Sequence, residues 1–244
     1  GSLYSGNAIS IATNSKFTGD VVAAKTAGSG TPANIISAGN NNNFIGNITA
    51  SGKVSIQNGS GTVSGKVSVP SPSSSNYSGP APLGGISNTV TMPEFPAMPA
   101  NTSFDNQAGT TNITNNQTIT PGTFKKLALT GNKTLTFNGP GNYIFEEVDN
   151  GTSANNLVFD FKNTTSGTIN IFIIKNAKWG KVSVKMTNGS DPSRIYTEIH
   201  GNGSVNNGFA FELLGAGSQS SGNYSWLGNV WAPNGGIAVK SFNS

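Results

Sequence analysis

The chain has 244 residues, of which 34 % are hydrophobic and only 10 % charged, with a net charge of +4. Disordered chains combine few apolar residues with high net charge, so this composition argues for a fold. The absence of cysteine excludes disulfides and thiolate metal sites. Thirty-two glycines and an equally heavy use of asparagine suit a backbone that turns often, because both residues tolerate positive φ. The longest aliphatic and aromatic run, residues 171–174, falls far short of the roughly 20 residues a bilayer span takes.

In chain order, the first feature is a repeat. Phe17-Thr-Gly-Asp-Val-Val-Ala returns as Phe44-Ile-Gly-Asn-Ile-Thr-Ala and as Val63-Ser-Gly-Lys-Val-Ser-Val. Each copy reads apolar, any, Gly, polar, apolar, any, small or apolar. Short runs such as Ile9-Ser-Ile, Ile35-Ile-Ser and Val54-Ser-Ile alternate with the copies. Short strands with apolar residues at every second position and Gly/Asn corners, repeated in one direction, predict a β-solenoid in which stacked coils bury ladders of Val, Ile and Phe. Residues 3–69 form its first segment. The expected inward set is Ile9, Ile11, Phe17, Val21, Ile35, Phe44, Ile48, Val54, Ile56, Val63 and Val67.

Residues 70–105 change character, holding seven of the twelve prolines. Proline lacks the ladder N–H, so this is a Pro-rich extended segment packed on the solenoid and not a central strand. Its Met92, Phe95 and Met98 suit a strip lying on an apolar groove. Residues 106–244 return to period-2 runs, among them Leu135-Thr-Phe, Tyr143-Ile-Phe, 169–173 and Val182-Ser-Val, separated by turn clusters such as Asn138-Gly-Pro-Gly-Asn. They form a second solenoid segment, one continuous domain with the first. No window carries a 3.6 period, so the class is all-β, with at most one short helix covering an open end. The start at a strand directly after Gly1-Ser2 carries the expectation that a signal or anchoring segment once preceded it.

The order LYSGNAISI, FTGDVVA, FIGNITASGKVSI, GTVSGKV, then MPEFP, ITPGTFKKLALTGNKTLTFNGPGNYIF and GNVWAPNGGIAV is similar to that of the solenoid ectodomains of PilX-like pilus-assembly proteins (type IV minor pilins) and of choice-of-anchor A bacterial surface proteins. The late half resembles bacterial ice-binding proteins more distantly. The resemblance covers most of the chain through turn and strand motifs. It implies an extracellular, right-handed β-solenoid (β-helix) used for display or adhesion at the cell surface, and it carries over no catalytic residue.

Enzymatic signals are poor. A general acid/base pair needs two carboxylates at one site. In the cluster Glu146-Glu147-Val148-Asp149 only Glu147 and Asp149 share a strand face, beside the turn at Asn150-Gly151, where a solvated strand end is the plainer reading. His200 is the only histidine and Arg194 the only arginine. A lone histidine makes no histidine-based metal site, and His200 is expected to point outward from its strand. The expectation is therefore a non-enzymatic module with no cofactor.

Binding signals are better. Lys175, Lys178, Lys181 and Lys185 surround Trp179, and on a solenoid they would make a basic stripe beside an open indole, suited to acidic glycan or nucleic acid. The plainer reading is lysines guarding a solvated face. Trp226, with Tyr224 on the same face, is expected to stack on a sugar ring, while Trp231 is expected to be structural. The expected ligand-binding set is thus Tyr224, Trp226, Trp179, Lys178 and Lys181, and the expected partners are a glycan, a nucleic acid or pilus and filament subunits. The pairs Thr118/Thr120 and Thr134/Thr136 leave ice binding as a minor alternative.

Overall fold

The computed structural model describes residues 2–24, 34–70, 76–92, 104–189, 191–201, 209–214 and 226–240. The fold is all-β. Twenty strands form one parallel sheet that winds round itself, and three more form a second parallel sheet. Most strands pair with one from the preceding coil and one from the next, which is the arrangement of a β-solenoid. The expected helix cover is not seen: among the described residues the only helical turn is Pro192–Arg194, capped at its start by Asp191.

Three walls enclose the core. The first wall stacks Gly122–Leu127, the start of Gly141–Asp149, Ile169–Ile173, Ile195–Ile199, Asn229–Ala232, Leu3–Ser5, Val21–Ala23, Ile48–Ala50, Val67–Ser68 and Ile86–Ser87. At about 4.8 Å per rung it is about 43 Å long. The second wall runs from the end of Gly141–Asp149 through the start of Ala177–Thr187, Phe209–Leu214, Gly236–Lys240, Ile9–Ile11, Ile36–Ala38 and Val54–Ile56 to Tyr77–Ser78. The third wall comes in two pieces, one of which stacks Lys16–Thr18, Asn43–Ile45 and Thr62–Val63.

The coil order in space is not the order of the sequence. The chain begins at mid-length, where Leu3–Ser5 lies on Asn229–Ala232 and Ile9–Ile11 lies on Gly236–Lys240. It builds outward to one pole at Ile86–Ser87. It resumes at the opposite pole, where Ile113 bridges to Leu127, and builds back toward its own beginning. The two segments therefore join where the second ends and the first begins.

The repeat is what drives the first segment. Phe17, Phe44 and Val63 stand in register, so the three copies superpose rung on rung. Of the expected inward set all are buried except Phe17, which is half-buried and stacks on Phe44 at 5.6 Å. A further rung, Leu83-Gly84-Gly85-Ile86-Ser87, continues the series, with Ile86 beside Val67. Nothing among the described residues stacks on this rung, and Leu83 and Ile86 are 84 % and 42 % exposed.

In the second segment aromatic rings fill the interior. Phe137 stacks on Phe159 at 5.1 Å and meets Tyr143 edge-on at 5.1 Å. Of the Pro-rich stretch, residues 71–75 and 93–103 fall outside the described residues, and with them Phe95 and Met98. At its far end Phe104 is buried on the outside of the first wall, against Phe172 at 4.8 Å.

Candidate functional site

The five expected binding residues do not form one site. Residues 177–187 are a single strand, but its backbone turns a corner at Gly180, where φ is +70° and an added Cβ would come within 2.8 Å of the Ser153 carbonyl oxygen. Ala177 and Lys178 belong to the second wall, whereas Lys181 and the residues after it pair with Ala154–Asp160 on the third. Lys178 and Lys181 thus sit on different walls. Trp179 was expected in the open and is fully buried, because it follows Ala177 at a two-residue step and points inward with it.

Nor is the second wall basic. Lys178 lies in register between Asp149 and Glu212. Lys126 contacts Asp149 at 3.1 Å and Glu147 at 3.3 Å, and Lys240 contacts Glu212 at 3.0 Å. The result is an alternating ladder of lysines and carboxylates. Burial alone would raise the Asp149 carboxyl, but the ammonium groups of Lys126 and Lys178 and the Gly151 amide hold it below the ordinary carboxylate range. Lys175 is paired with Glu146. The stripe expected for acidic polymers is thus broken up: on this wall its lysines alternate with carboxylates, and Lys181 and Lys185 lie on another.

Trp226 is half-buried, with its ring 4.8 Å from Trp179 and 5.2 Å from Phe211. Its Nε1 is buried, so the ring serves packing and offers no open face with a polar handle. Tyr224 lies outside the described residues. Trp231 is 4 % exposed, as a structural residue should be. Thr118 and Thr136 do share a register, but their ladder continues as Val158 and Lys185, so it stops at two threonines.

A concave feature among the described residues lies elsewhere, on the first wall near mid-length. It is an open groove of about 300 Å³ lined by Tyr4, Asp20, Val22, Asn47, Thr49, Lys66, Ser68 and Thr91. Tyr4, Val22, Thr49 and Ser68 form its floor, one residue per rung in direct register. Asp20, Asn47 and Lys66 form one rim. Their backbones and side chains interlock: the Asn47 amide donates to Asp20 Oδ1 at 2.7 Å, and the Lys66 amide donates to Asn47 Oδ1 at 3.0 Å. The rim begins one rung earlier, where the Asp20 amide donates to Ser2 Oγ at 3.0 Å.

The repeat builds this groove. In each copy the polar fourth position supplies the rim and the unrestricted sixth position supplies the floor, while the apolar first, fifth and seventh positions are spent on the core. The varying positions were the signal for a surface, and only the register of the rungs shows that they converge. Along about 14 Å of wall the groove offers one phenol ring, three aliphatic hydroxyls, a carboxamide, a carboxylate and an ammonium group. An aromatic face with a few placed polar groups is the chemistry that holds a polyhydroxylated chain.

No family model matches the chain, and neither a curated protein nor a solved structure matches it. Among the described residues no group of three His, Cys, Asp or Glu side chains is arranged to hold a metal ion. No helix among them is long and apolar enough to cross a membrane.

Proposed function

We propose that the chain is an extracellular, non-enzymatic display or adhesive module, working at a bacterial cell surface with a pilus or similar filament, and that its solenoid is right-handed. Its ligand is a glycan lying along the first wall, in the groove floored by Tyr4, Val22, Thr49 and Ser68. The observation behind this reading is the groove itself: an aromatic ring and graded polar groups set at the spacing of the rungs. Handedness, location and surface role rest on the resemblance of the turn and strand motifs to surface solenoids. The groove contains a single carboxylate, Asp20, whereas glycoside hydrolysis employs two, which favours holding over cleaving. Nucleic acid loses its support with the lysine stripe.

A panel of neutral, acidic and amino-sugar oligosaccharides, titrated by NMR at two salt concentrations, tests the reading. Tyr4→Ala should weaken binding about tenfold, in line with the ~1.4 kcal/mol that one aromatic contact supplies. Lys66→Ala should shift preference among acidic and neutral sugars and leave neutral binding nearly unchanged. Binding by DNA alone, or binding that ignores Tyr4, would overturn it.

A second reading, a subunit of an end-to-end filament, has its own observation. The last rung leaves the apolar Leu83 and Ile86 exposed beside an open strand edge, and open edges are templates for pairing. Concentration-dependent sedimentation that Leu83→Lys abolishes would favour it.

A further inference from the structure

Outside the groove, the wall carries a buried polar cluster that the glycan reading does not use. His200 follows the strand Ile195–Ile199 on the outer side of the first wall and is 4 % exposed. Its Nδ1 is 2.6 Å from Asp105 Oδ1 and its Nε2 is 2.8 Å from Glu198 Oε1. Glu198 is wholly buried, and its other oxygen accepts a hydrogen bond from Tyr196 Oη at 2.8 Å. Phe104 closes the cluster, its ring centroid 4.1 Å from the imidazole. Asp105 and Phe104 belong to the segment that returns the chain from one pole to the other, so this contact pins that segment to the wall.

The two carboxylates flank opposite ring nitrogens, so they cannot converge on a shared cation. Both hydrogen bonds are made at once when the ring carries two N–H groups. The charged and titratable groups facing the ring are Asp105 from the returning segment and Glu198 from the strand, with Tyr196 behind Glu198. The neighbouring rungs contribute Phe172 and Trp231, and Lys175 is occupied by Glu146.

We infer that His200 is a proton-operated latch, holding the Phe104–Asp105 anchor on the wall while its ring is doubly protonated and releasing it when the ring loses a proton. A neutral imidazole keeps one N–H. It stays with Glu198, which is sealed from water and cannot be rehydrated at low cost. Asp105, whose side chain is 38 % exposed, then faces a lone pair and gains more from solvent. Burial opposes the imidazolium charge, but Glu198 and Asp105 outweigh it and hold His200 above the ordinary imidazole value. A raised value means that the stabilisation is complete below the free imidazole pKa of about 6.5 and is lost as pH rises through the folded-state value. The latch is closed in mild acid and opens on the alkaline side.

The single histidine makes the ring assignable without ambiguity in proton–nitrogen correlation spectra of the full chain. Both ring nitrogens should be protonated at pH 6, and the ring should titrate above about 6.5. Amide exchange at residues 104–107, corrected for intrinsic base catalysis, should rise at least tenfold across that midpoint. His200→Gln should abolish the step. Asp105→Asn, at a half-exposed position, should keep the fold and move the midpoint down. A ring that is neutral at pH 6, or exchange at 104–107 without a step at the midpoint, would overturn the latch. Glu198, Trp231 and Tyr4 share one register column, so the groove begins two rungs away, and Tyr4→Ala reports on it separately.

Discussion

Gly65→Ala is expected to destabilise the first segment by about 3 kcal/mol, near the upper end of overpacking costs. The third position of the repeat is glycine in every copy because the coils touch there. A Cβ on Gly65 would lie 2.0 Å from the Gly46 carbonyl oxygen and 2.4 Å from its carbon. Gly46 stands in the same relation to Gly19, at 2.2 Å, and Gly84 to Gly65, at 2.7 Å. All of these neighbours are backbone, so no side chain can swing aside. The rungs must part, which lengthens the bonds from the Ser64 amide to the Phe44 carbonyl and from the Ile48 amide to the Lys66 carbonyl. Solenoid stability is summed over neighbouring coils, so the damage should be local. Hydrogen exchange should show lost protection at 44–50 and 62–69 and native protection at 135–173. Ser64→Ala, at the exposed position next door, should stay within about 0.5 kcal/mol. Equal protection at 44–50 and 62–69 in both variants would remove the glycine column as the cause.

Phe137→Ala should cost about 3–5 kcal/mol, with the midpoint of urea unfolding lowered and its slope unchanged. Phe137 is fully buried, and its ring joins the Phe159, Tyr143 and Phe145 rings across two walls of the second segment. Tight packing of these rings from adjacent coils leaves little room for the hole to collapse. Phe124→Ala gives the comparison. Phe124 faces inward in register with Phe145, 5.0 Å away, but on the terminal rung and only half-buried, so its loss should cost about half as much. A Phe137→Ala cost no greater than that of Phe124→Ala would mean that the cluster is loosely packed.

What the sequence revealed was whatever it encodes locally. A two-residue period and a repeated heptapeptide specify which side chains point inward, and Ile48, Val54 and Val67 are buried for that reason. The same arithmetic holds through Trp179, buried with Ala177; it breaks just beyond, where Gly180 turns the strand through a corner, resets the alternation and puts Lys181 and Lys185 on another wall. His200 was read as a solvent-facing residue. It does face outward, but Asp105 and Phe104 cover it from 95 residues away, and no local pattern reports such a partner. The groove was half visible: the fourth position of the repeat was marked as polar and the sixth as unrestricted, while their convergence needed the register of Tyr4, Val22, Thr49 and Ser68.

The out-of-order stacking has a mechanical consequence. Ser2 and Lys240 both lie at the waist, where the Ser2 amide donates to Asn229 Oδ1. Tension applied between these two points is borne by the short rungs that join Leu3–Ser5 to Asn229–Ala232 and Ile9–Ile11 to Gly236–Lys240, and the poles carry none of it. Anything joined to the chain at either point leaves from the flank. Such an attachment would meet the solenoid side-on, with Tyr4 close beside it.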